Sequence, residues 1–513
     1  MAASKKKPGR AAAETAVLFF SVFVVGLCTI IYELLIGSVS SYFLGDSIKQ
    51  FSLTIGMTMS AMGLGTYFSR FIVNNLVLKF IFVEGILGLV GGLSVPVLYG
   101  VYAAEIVYYP VMILFILAIG FLIGLEIPLL TRIMVKYYPL RENISNILSL
   151  DYLGALFASA LFPFILLPVF GLFQSSIITG SLNVLVAAFT LNFFRSHIGV
   201  SRLKSTRNIV YAVLGVLLVF FLAETRLMRL WENSMYEDRV ILSKQTKYQK
   251  IVVTRHKGDL RLYLDGNLQF SSIDESRYHE ALVHVPMSAA RQKKSILVLG
   301  GGDGLAIREI LKYPEVENIT LVDLDEEMTA LASRHRDFIK VNQGSLSNPR
   351  VRIVHEDAFV YLTENSAFFD VIIADLPDPR NTSLGRLYSR EFYRVVKKRL
   401  SREGIFVTQA TSPYFARKAF WCIFETARSA GFTHASPYHV EVPSFGDWGF
   451  VLAATRKINL EEKLNVETRF LTGAMLKTVF EFSKDIEKIP VKSSGLNNPE
   501  ILNYYLEGWE YWF

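Results

Sequence analysis

Seven apolar runs fill the first 223 residues of this 513-residue chain, at about 15–36, 51–68, 76–98, 106–130, 147–170, 172–194 and 209–223. Most reach the ~20 residues that a helix needs to cross the ~30 Å hydrocarbon core of a bilayer. Backbone N–H and C=O groups in hydrocarbon must pair within their own segment, so the N-terminal part is confined to a multi-span α-helical membrane domain, residues 1–223. The first run follows Lys5, Lys6, Lys7 and Arg10. It is too long for a signal peptide, lacks a small-residue cleavage site and precedes further spans, so it reads as a retained anchor. The last run is the shortest. Its 15 uncharged residues would rise only ~22 Å as a helix, which suggests a re-entrant or interfacial segment.

Charge follows the same division. Residues 1–223 carry a net charge of +6 and the remainder +1. Arg70 and Lys79 flank one connection, Arg132, Lys136 and Arg141 a second, and Arg195, Arg202, Lys204 and Arg207 a third. The intervening connections hold Asp46 with Lys49, Glu105, or no charge. Basic loops on alternate connections fit anionic lipid on the cytoplasmic face and no nucleic-acid surface. The positive-inside rule places the N-terminus there too. Four acids, Glu33, Glu84, Glu126 and Asp151, sit in or at the ends of apolar runs. An acid facing lipid costs several kcal/mol, so these should face the bundle interior or water. They could form a cation path or make interhelical hydrogen bonds. Gly91-Gly92 and the small residues at 61–65 suggest close helix packing. The two cysteines, Cys28 and Cys422, are some 400 residues apart and read as packing residues, and no metal-ligand spacing is visible.

From Asp238 the pattern becomes that of a soluble protein. Short β-type runs at 240–242, 250–254, 261–264 and 268–270 are separated by turn residues and suggest a small antiparallel sheet, followed by a helix over about 276–291. A buried strand then enters the glycine-rich turn Gly300-Gly-Gly-Asp-Gly304, a helix follows, and a strand over 318–322 ends at Asp323. Strand, glycine turn, helix and an acid about 20 residues on suit a nucleoside. Further strands at 351–354, 371–374, 404–409, 433–440 and 449–453, mostly with helices between, predict a largely parallel sheet with helices on both faces. The fold expected is a small antiparallel β domain with its linking helix at 224–290, an α/β Rossmann-like domain of the methyltransferase type at 291–455, and an extension at 456–513. The extension predicts one helix over about 467–483 and an aromatic end, from Tyr504 to Phe513, docking on either the domain or the bilayer.

Ligands of such sheets sit at the carboxyl ends of the strands. Asp303, Asp323, Asp357, Asp375 and Asp378 all fall there. Five acids around one cleft repel one another unless a cation binds. Asp303 in the glycine turn would oppose the carboxylate of S-adenosylmethionine but attract the free aminopropyl ammonium of its decarboxylated form. Asp375 and Asp378, in one loop, suit a diamine. The plainer reading is that Asp378-Pro379 only forms a turn.

Residues 238–455 resemble spermidine synthases throughout. The matching segments are Lys247-Tyr-Gln249, Leu262-Tyr-Leu-Asp-Gly-Asn-Leu-Gln269, Asp274-Glu-Ser-Arg-Tyr-His-Glu280, the glycine turn, Val322-Asp-Leu-Asp325, Asp357-Ala358, Asp370-Val-Ile-Ile-Ala-Asp375 and Gln409. The whole chain resembles the bacterial multi-spanning members of this polyamine aminopropyltransferase family. The resemblance implies that Gln249, Asp323, Asp357 and Ala358 hold the adenosine moiety and Asp303 the aminopropyl group. Tyr278, His279, Asp378 and Gln409 would position the amine, and Asp375 would be catalytic. It implies decarboxylated S-adenosylmethionine as co-substrate, no metal or other cofactor, putrescine as the first-choice acceptor, a homodimer, and a catalytic domain on the cytoplasmic side of the cell membrane. Asp323 stands where the family usually has Glu, Arg380-Asn-Thr382 where it usually has a Gly-Pro pair, and Val442 where soluble members have a tyrosine. These departures leave the acceptor open. An S-adenosylmethionine-dependent methyltransferase, or a membrane polyamine sensor or transporter whose soluble domain only binds, are the alternatives.

Overall fold

The computed structural model describes residues 8–45, 47–104, 106–195, 198, 200–461 and 463–512. Lys5, Lys6, Lys7, Asp46 and Glu105 lie outside the described residues. The chain divides into two compact units, Met1–Glu237 and Asp238–Phe513.

The first unit is helical: α1 (Pro8–Leu44), α2 (Ser47–Ser69), α3 (Leu76–Ala103), α4 (Tyr108–Met134), α5 (Leu140–Leu161), α6 (Gly171–Phe193) and α7 (Val200–Met235). Five helical stretches among the described residues are long and apolar enough to cross a membrane. One of these, Leu140–Phe193, holds α5, a π-helical segment Phe162–Phe170 and α6, and is broken at Gly171, where φ is +67°. The bundle has an apolar core, yet it also exposes large apolar side chains and buries polar ones. Phe164, Leu156, Leu218 and Leu222 are exposed, while Ser175, Ser176, Thr179, Asn183, Glu84 and Glu126 are buried. Lipid tolerates the first set and penalises the second. Helices close on glycine: a Cβ on Gly65 of α2 would stand 2.1 Å from the Phe121 carbonyl oxygen of α4, and one on Gly92 of α3 would stand 3.3 Å from the Gly180 Cα of α6. Of the four acids, Glu84 and Glu126 are fully buried and Glu33 and Asp151 half-buried. Asn183 Nδ2 donates to Glu84 Oε2 at 2.8 Å, and Tyr32 Oη donates to Asn183 Oδ1 at 2.7 Å.

The re-entrant reading of 209–223 is corrected. That run is the middle of α7, an unbroken helix of 36 residues, ~54 Å long. Lysine and arginine near helix ends reach to the interface along their own stems, so flanking charge bounds the apolar run without ending the helix.

The second unit opens with a four-stranded antiparallel sheet, in the order β1 (Arg239–Gln245), β2 (Lys250–His256), β3 (Asp259–Leu264), β4 (Asn267–Ser271). Helix α8 (Glu275–Ala289) leads into β5 (Ser295–Gly300) and α9 (Leu305–Ile310). After these come β6 (Asn318–Asp323), α10 (Glu326–Arg334), α11 (Arg336–Asn342), β7 (Val351–His355), α12 (Ala358–Glu364), β8 (Phe369–Asp375), α13 (Thr382–Gly385), α14 (Arg390–Arg399), β9 (Leu400–Gln409), α15 (Arg417–Ser429), β10 (His434–Val442) and β11 (Gly446–Ala454). The large sheet runs β10-β11-β9-β8-β5-β6-β7; β11 is antiparallel to both its neighbours and the other pairs are parallel. This is the Rossmann-like arrangement expected from the alternating pattern.

The extension differs from expectation. Residues 467–483 hold only α16 (Met475–Thr478). The Glu280 carboxylate accepts the backbone N–H groups of Arg469, Phe470 and Leu471 at 2.6, 2.8 and 2.7 Å. Those donors point at one carboxylate instead of along a helix axis, so the segment stays irregular. The aromatic end forms α17 (Glu500–Glu510), which docks on the domain: Ile501 and Tyr505 are buried in its core.

Candidate active site

Strand register assembles the site. β5 lies between β6 and β8, so the chain leaves it in opposite directions and a crevice opens at its carboxyl end. Gly300 pairs directly with Asp375, and Leu299 with Val322, one residue before Asp323. The glycine turn, Asp323 and Asp375 therefore reach one edge at one level. The turn requires glycine for contact reasons. A Cβ on Gly300 would stand 2.1 Å from the Asp375 carbonyl oxygen, and one on Gly302 would stand 2.6 Å from Asp323 Oδ2. Gly300 also has φ of +76°.

A cavity of about 570 Å³ occupies this edge, within the usual size range for a small-molecule site. Every site residue suggested by the sequence lines it: Gln249, Asp303, Asp323, Asp357 and Ala358 from the nucleoside set, and Tyr278, His279, Asp375, Asp378 and Gln409 from the amine set.

On the nucleoside side, the Asp325 N–H donates to Asp323 Oδ1 at 2.9 Å. Burial pushes the Asp323 carboxyl up to about 6. Gln249 Nε2 donates to Asp325 Oδ2 at 2.9 Å, as does the Thr246 hydroxyl at 2.8 Å, tying the small sheet to the end of β6. Asp357 caps α12, accepting from the N–H groups of Phe359 and Val360 at 3.0 and 3.1 Å, and its other oxygen pairs with Arg386. A helix cap accounts for part of its presence at this strand end.

On the amine side, the Tyr278 hydroxyl donates to Asp375 Oδ1 at 2.7 Å. Asp375 Oδ2 lies against Gly301, where a Cβ would come within 3.0 Å. Burial raises the Asp375 carboxyl to about 6, with Asp303 adding to the rise and the His279 charge and Tyr278 hydrogen bond opposing it. Asp378 is also raised to about 6 by burial, with Gln409, Thr411, Tyr505 and the Arg380 charge opposing the rise. Gln409 Nε2 donates to Asp378 Oδ1, and the Thr411 hydroxyl to Oδ2, both at 3.1 Å. His279 is 2% exposed. Burial disfavours its charge, but the Glu275 hydrogen bond and the charges of Asp303, Glu275 and Asp375 prevail and raise it to about 9. Arg308 holds Glu275 through two contacts of 2.9 and 2.8 Å, which fixes the histidine in turn. Asp303 Oδ1 accepts the Leu305 N–H at 2.9 Å, and burial raises this carboxyl as well.

Several lining or supporting residues carry no sequence signal. Thr411 is a β-branched residue in the left-handed region, with φ of +54°. Its backbone is held by Gln409 Oε1, which accepts the Thr411 N–H at 2.9 Å, and by the Gly449 N–H, which donates to the Thr411 carbonyl at 2.8 Å. Strain held this way is typical of functional sites. Arg380 Nη2 pairs with Asp265 Oδ2 at 3.0 Å and joins the loop after β8 to the β3–β4 turn. Trp448 and Tyr505 also line the cavity. Asp325 lies inside a motif visible in the sequence, but its structural role is not. Among the described residues, no group of three or more His, Cys, Asp or Glu is placed to hold a metal ion.

A Rossmann-like sheet with this glycine turn, a carboxylate at the second strand end and two more at and just beyond the end of β8 fits a nucleoside-dependent transferase acting on a cationic substrate. The Spermine/spermidine synthase domain family matches residues 275–463. Along the full chain, the polyamine aminopropyltransferase of Leptospira interrogans is 44% identical, covering 96% of this chain and 98% of that protein. Polyamine aminopropyltransferase 2 of Ralstonia nicotianae is 43% identical over 96% and 98%, and the Oceanobacillus iheyensis enzyme 39% identical over 98% and 99%. The chain belongs to the polyamine aminopropyltransferase family. It is an enzyme, and as an aminopropyltransferase it draws its aminopropyl group from decarboxylated S-adenosylmethionine.

Proposed function

We propose that the acceptor is a diamine, putrescine, and that the products are spermidine and 5′-methylthioadenosine. The observation that carries this reading is the pair Asp375 and Asp378, two carboxylates three residues apart on one cavity wall. The amine nitrogen attacks the carbon beside the sulfonium. The N–C bond forms, the C–S bond breaks, and its electron pair stays on sulfur as a neutral thioether. No anionic leaving group develops. The main obstacle is the acceptor's own proton, since an alkylammonium of pKa about 10.4 has no lone pair to offer. Asp375, oriented by Tyr278, directs the lone pair and relays the proton to water. Asp378 holds the distal ammonium, and Asp303 the aminopropyl ammonium of the donor. Asp323 faces the ribose, and Gln249, Asp357 and Ala358 complete the adenosine site.

The raised carboxyls set the pH dependence. Burial holds the Asp375 and Asp378 carboxyls up at about 6. Below that pH they become neutral and lose their hold on ammonium groups. kcat/KM for putrescine should therefore fall below about pH 6, with a log–log slope approaching 2. The fall in kcat should lie at lower pH, because bound cations favour the ionised carboxylates. Steady-state rates across pH 5–8 check this; a profile flat down to pH 5 contradicts it.

We also propose that the enzyme is an integral protein of the cell membrane and a homodimer. Its catalytic unit faces the cytoplasm, where its nucleoside substrate is made. Support for the membrane assignment comes from the apolar outer surface of α5 and α7. Glu84 and Glu126 support an interior acidic path. Side and span are decided together. With α7 as a full span, a seven-helix count and a cytoplasmic N-terminus place residues 238–513 outside. With the catalytic unit inside, α7 must lie along the interface, so that both its ends stay on the side of Arg202, Lys204 and Arg207. Ser205→Cys, Leu230→Cys and Leu460→Cys, labelled one at a time in intact cells with an impermeant reagent, separate the two. Cys28 and Cys422 are buried and give little background. The expected result is no labelling at any of the three; labelling at 230 and 460 but not 205 places the catalytic unit outside.

A further inference from the structure

The amine end of the cavity has a wall that the matched family region, residues 275–463, does not include. Tyr505, on α17, is 8% exposed and lines the same cavity as Asp375 and Asp378. Its hydroxyl lies beside the Asp378 carboxylate, which already accepts from Gln409 and Thr411.

The packing of α17 fixes where that hydroxyl lies. Gly508 sits so close to Ala416 that a Cβ would come within 2.8 Å of its Cα. Trp509 stacks on Phe415, with ring centroids 5.3 Å apart. Lys418 reaches Glu507 at 2.6 Å. The Ser494 hydroxyl accepts the Ile501 N–H at 3.3 Å, with Ile501 itself fully buried. The face that receives α17, residues 415–418, lies just beyond Thr411 in sequence, so Thr411 and Tyr505 belong to one packed corner beside Asp378. Asp378 accepts from two neutral donors, with the Tyr505 hydroxyl and the Arg380 charge nearby, so its oxygens are aimed without a direct ion pair. That suits an ammonium arriving from the open side better than a permanent ion pair would.

We infer that Tyr505 is a positioning and specificity-determining residue of the amine subsite: its hydroxyl holds Asp378 in the orientation that receives the distal ammonium, and its ring closes part of the wall behind it. This inference rests on the diamine reading above. The C-terminal helix is then part of the active site rather than a tail.

The test uses the full-length enzyme in detergent or nanodiscs. Tyr505→Phe keeps the ring and the packing and removes one donor. The KM for putrescine should rise about tenfold, as expected for losing a hydrogen bond to a charged group. kcat should change less than threefold, and methylthioadenosine affinity should not change. With one donor gone, the fall of kcat/KM on acidification should begin at a higher pH than in the wild type. A merely structural role would move neither the KM–kcat split nor the pH profile. Gly508→Val, which must displace α17 from Ala416, should raise the KM in the same direction. An unchanged amine KM and pH profile in Tyr505→Phe overturns the inference. The wild-type rate on an amine panel judges the diamine reading separately: if another amine is preferred, the variant-to-wild-type KM ratio is taken on that amine and still decides the role of Tyr505.

Discussion

Asp375→Asn should lower kcat by about 10²–10⁴, the range for removing a positioned acid–base group, while leaving methylthioadenosine affinity within about twofold. The asparagine keeps the size of the side chain and can still meet the Tyr278 hydroxyl, which lies 2.7 Å from Oδ1. It can no longer accept a proton or attract an ammonium. In the proposed assignment Gln249, Asp323, Asp357 and Ala358 hold the nucleoside, and this carboxylate does not. Calorimetry with methylthioadenosine, beside single-turnover rates, checks both halves. A parallel loss of nucleoside affinity would mean that Asp375 acts on the wrong partner for this mechanism.

Asp323→Ala should produce the opposite pattern. In the proposed assignment Asp323 accepts ribose hydroxyls, so its loss removes charge-assisted hydrogen bonds and methylthioadenosine affinity should fall by about 10–100-fold. The KM for the amine should move far less. Asp323 also accepts the Asp325 N–H at 2.9 Å, and Asp325 holds Gln249 and Thr246. Alanine would therefore loosen the contact with the small sheet as well. Asp323→Asn is the control that keeps the shape: it should recover most of the Gln249 geometry but not the full affinity. Equal affinities for wild type and Asp323→Ala would remove this residue from the nucleoside site.

The cleft was legible from the sequence because its signals are local. A β-type run entering glycines, and acids at the ends of hydrophobic strands, can be read without knowing what packs where. Parallel register then brings Gly300, Asp323 and Asp375 to one edge with no further information. What could not be read depends on distant segments. Nothing beside Thr411 announces a left-handed backbone or a hydroxyl on Asp378; both follow from Gln409 and Gly449. Arg386 reaches Asp357 from 29 residues away, and Tyr505 arrives on a helix whose sequence shows only aromatic character. Two expectations failed for a shared reason. Hydropathy marks where a helix is apolar but not where it ends, so α7 exceeds its apolar run. Helical periodicity over 467–483 could not foresee that Glu280, almost 190 residues earlier, would take three of its backbone donors.

The most direct measurement supplies purified full-length enzyme with decarboxylated S-adenosylmethionine and, in turn, putrescine, cadaverine, spermidine and agmatine, and follows methylthioadenosine and the aminopropylated amine by mass spectrometry. Intact S-adenosylmethionine serves as the competing donor. The expected result is spermidine from putrescine as the fastest reaction, one methylthioadenosine per spermidine, and no methyl transfer. Methyl transfer from S-adenosylmethionine without aminopropyl transfer from the decarboxylated donor, or a triamine preferred over every diamine, would contradict it.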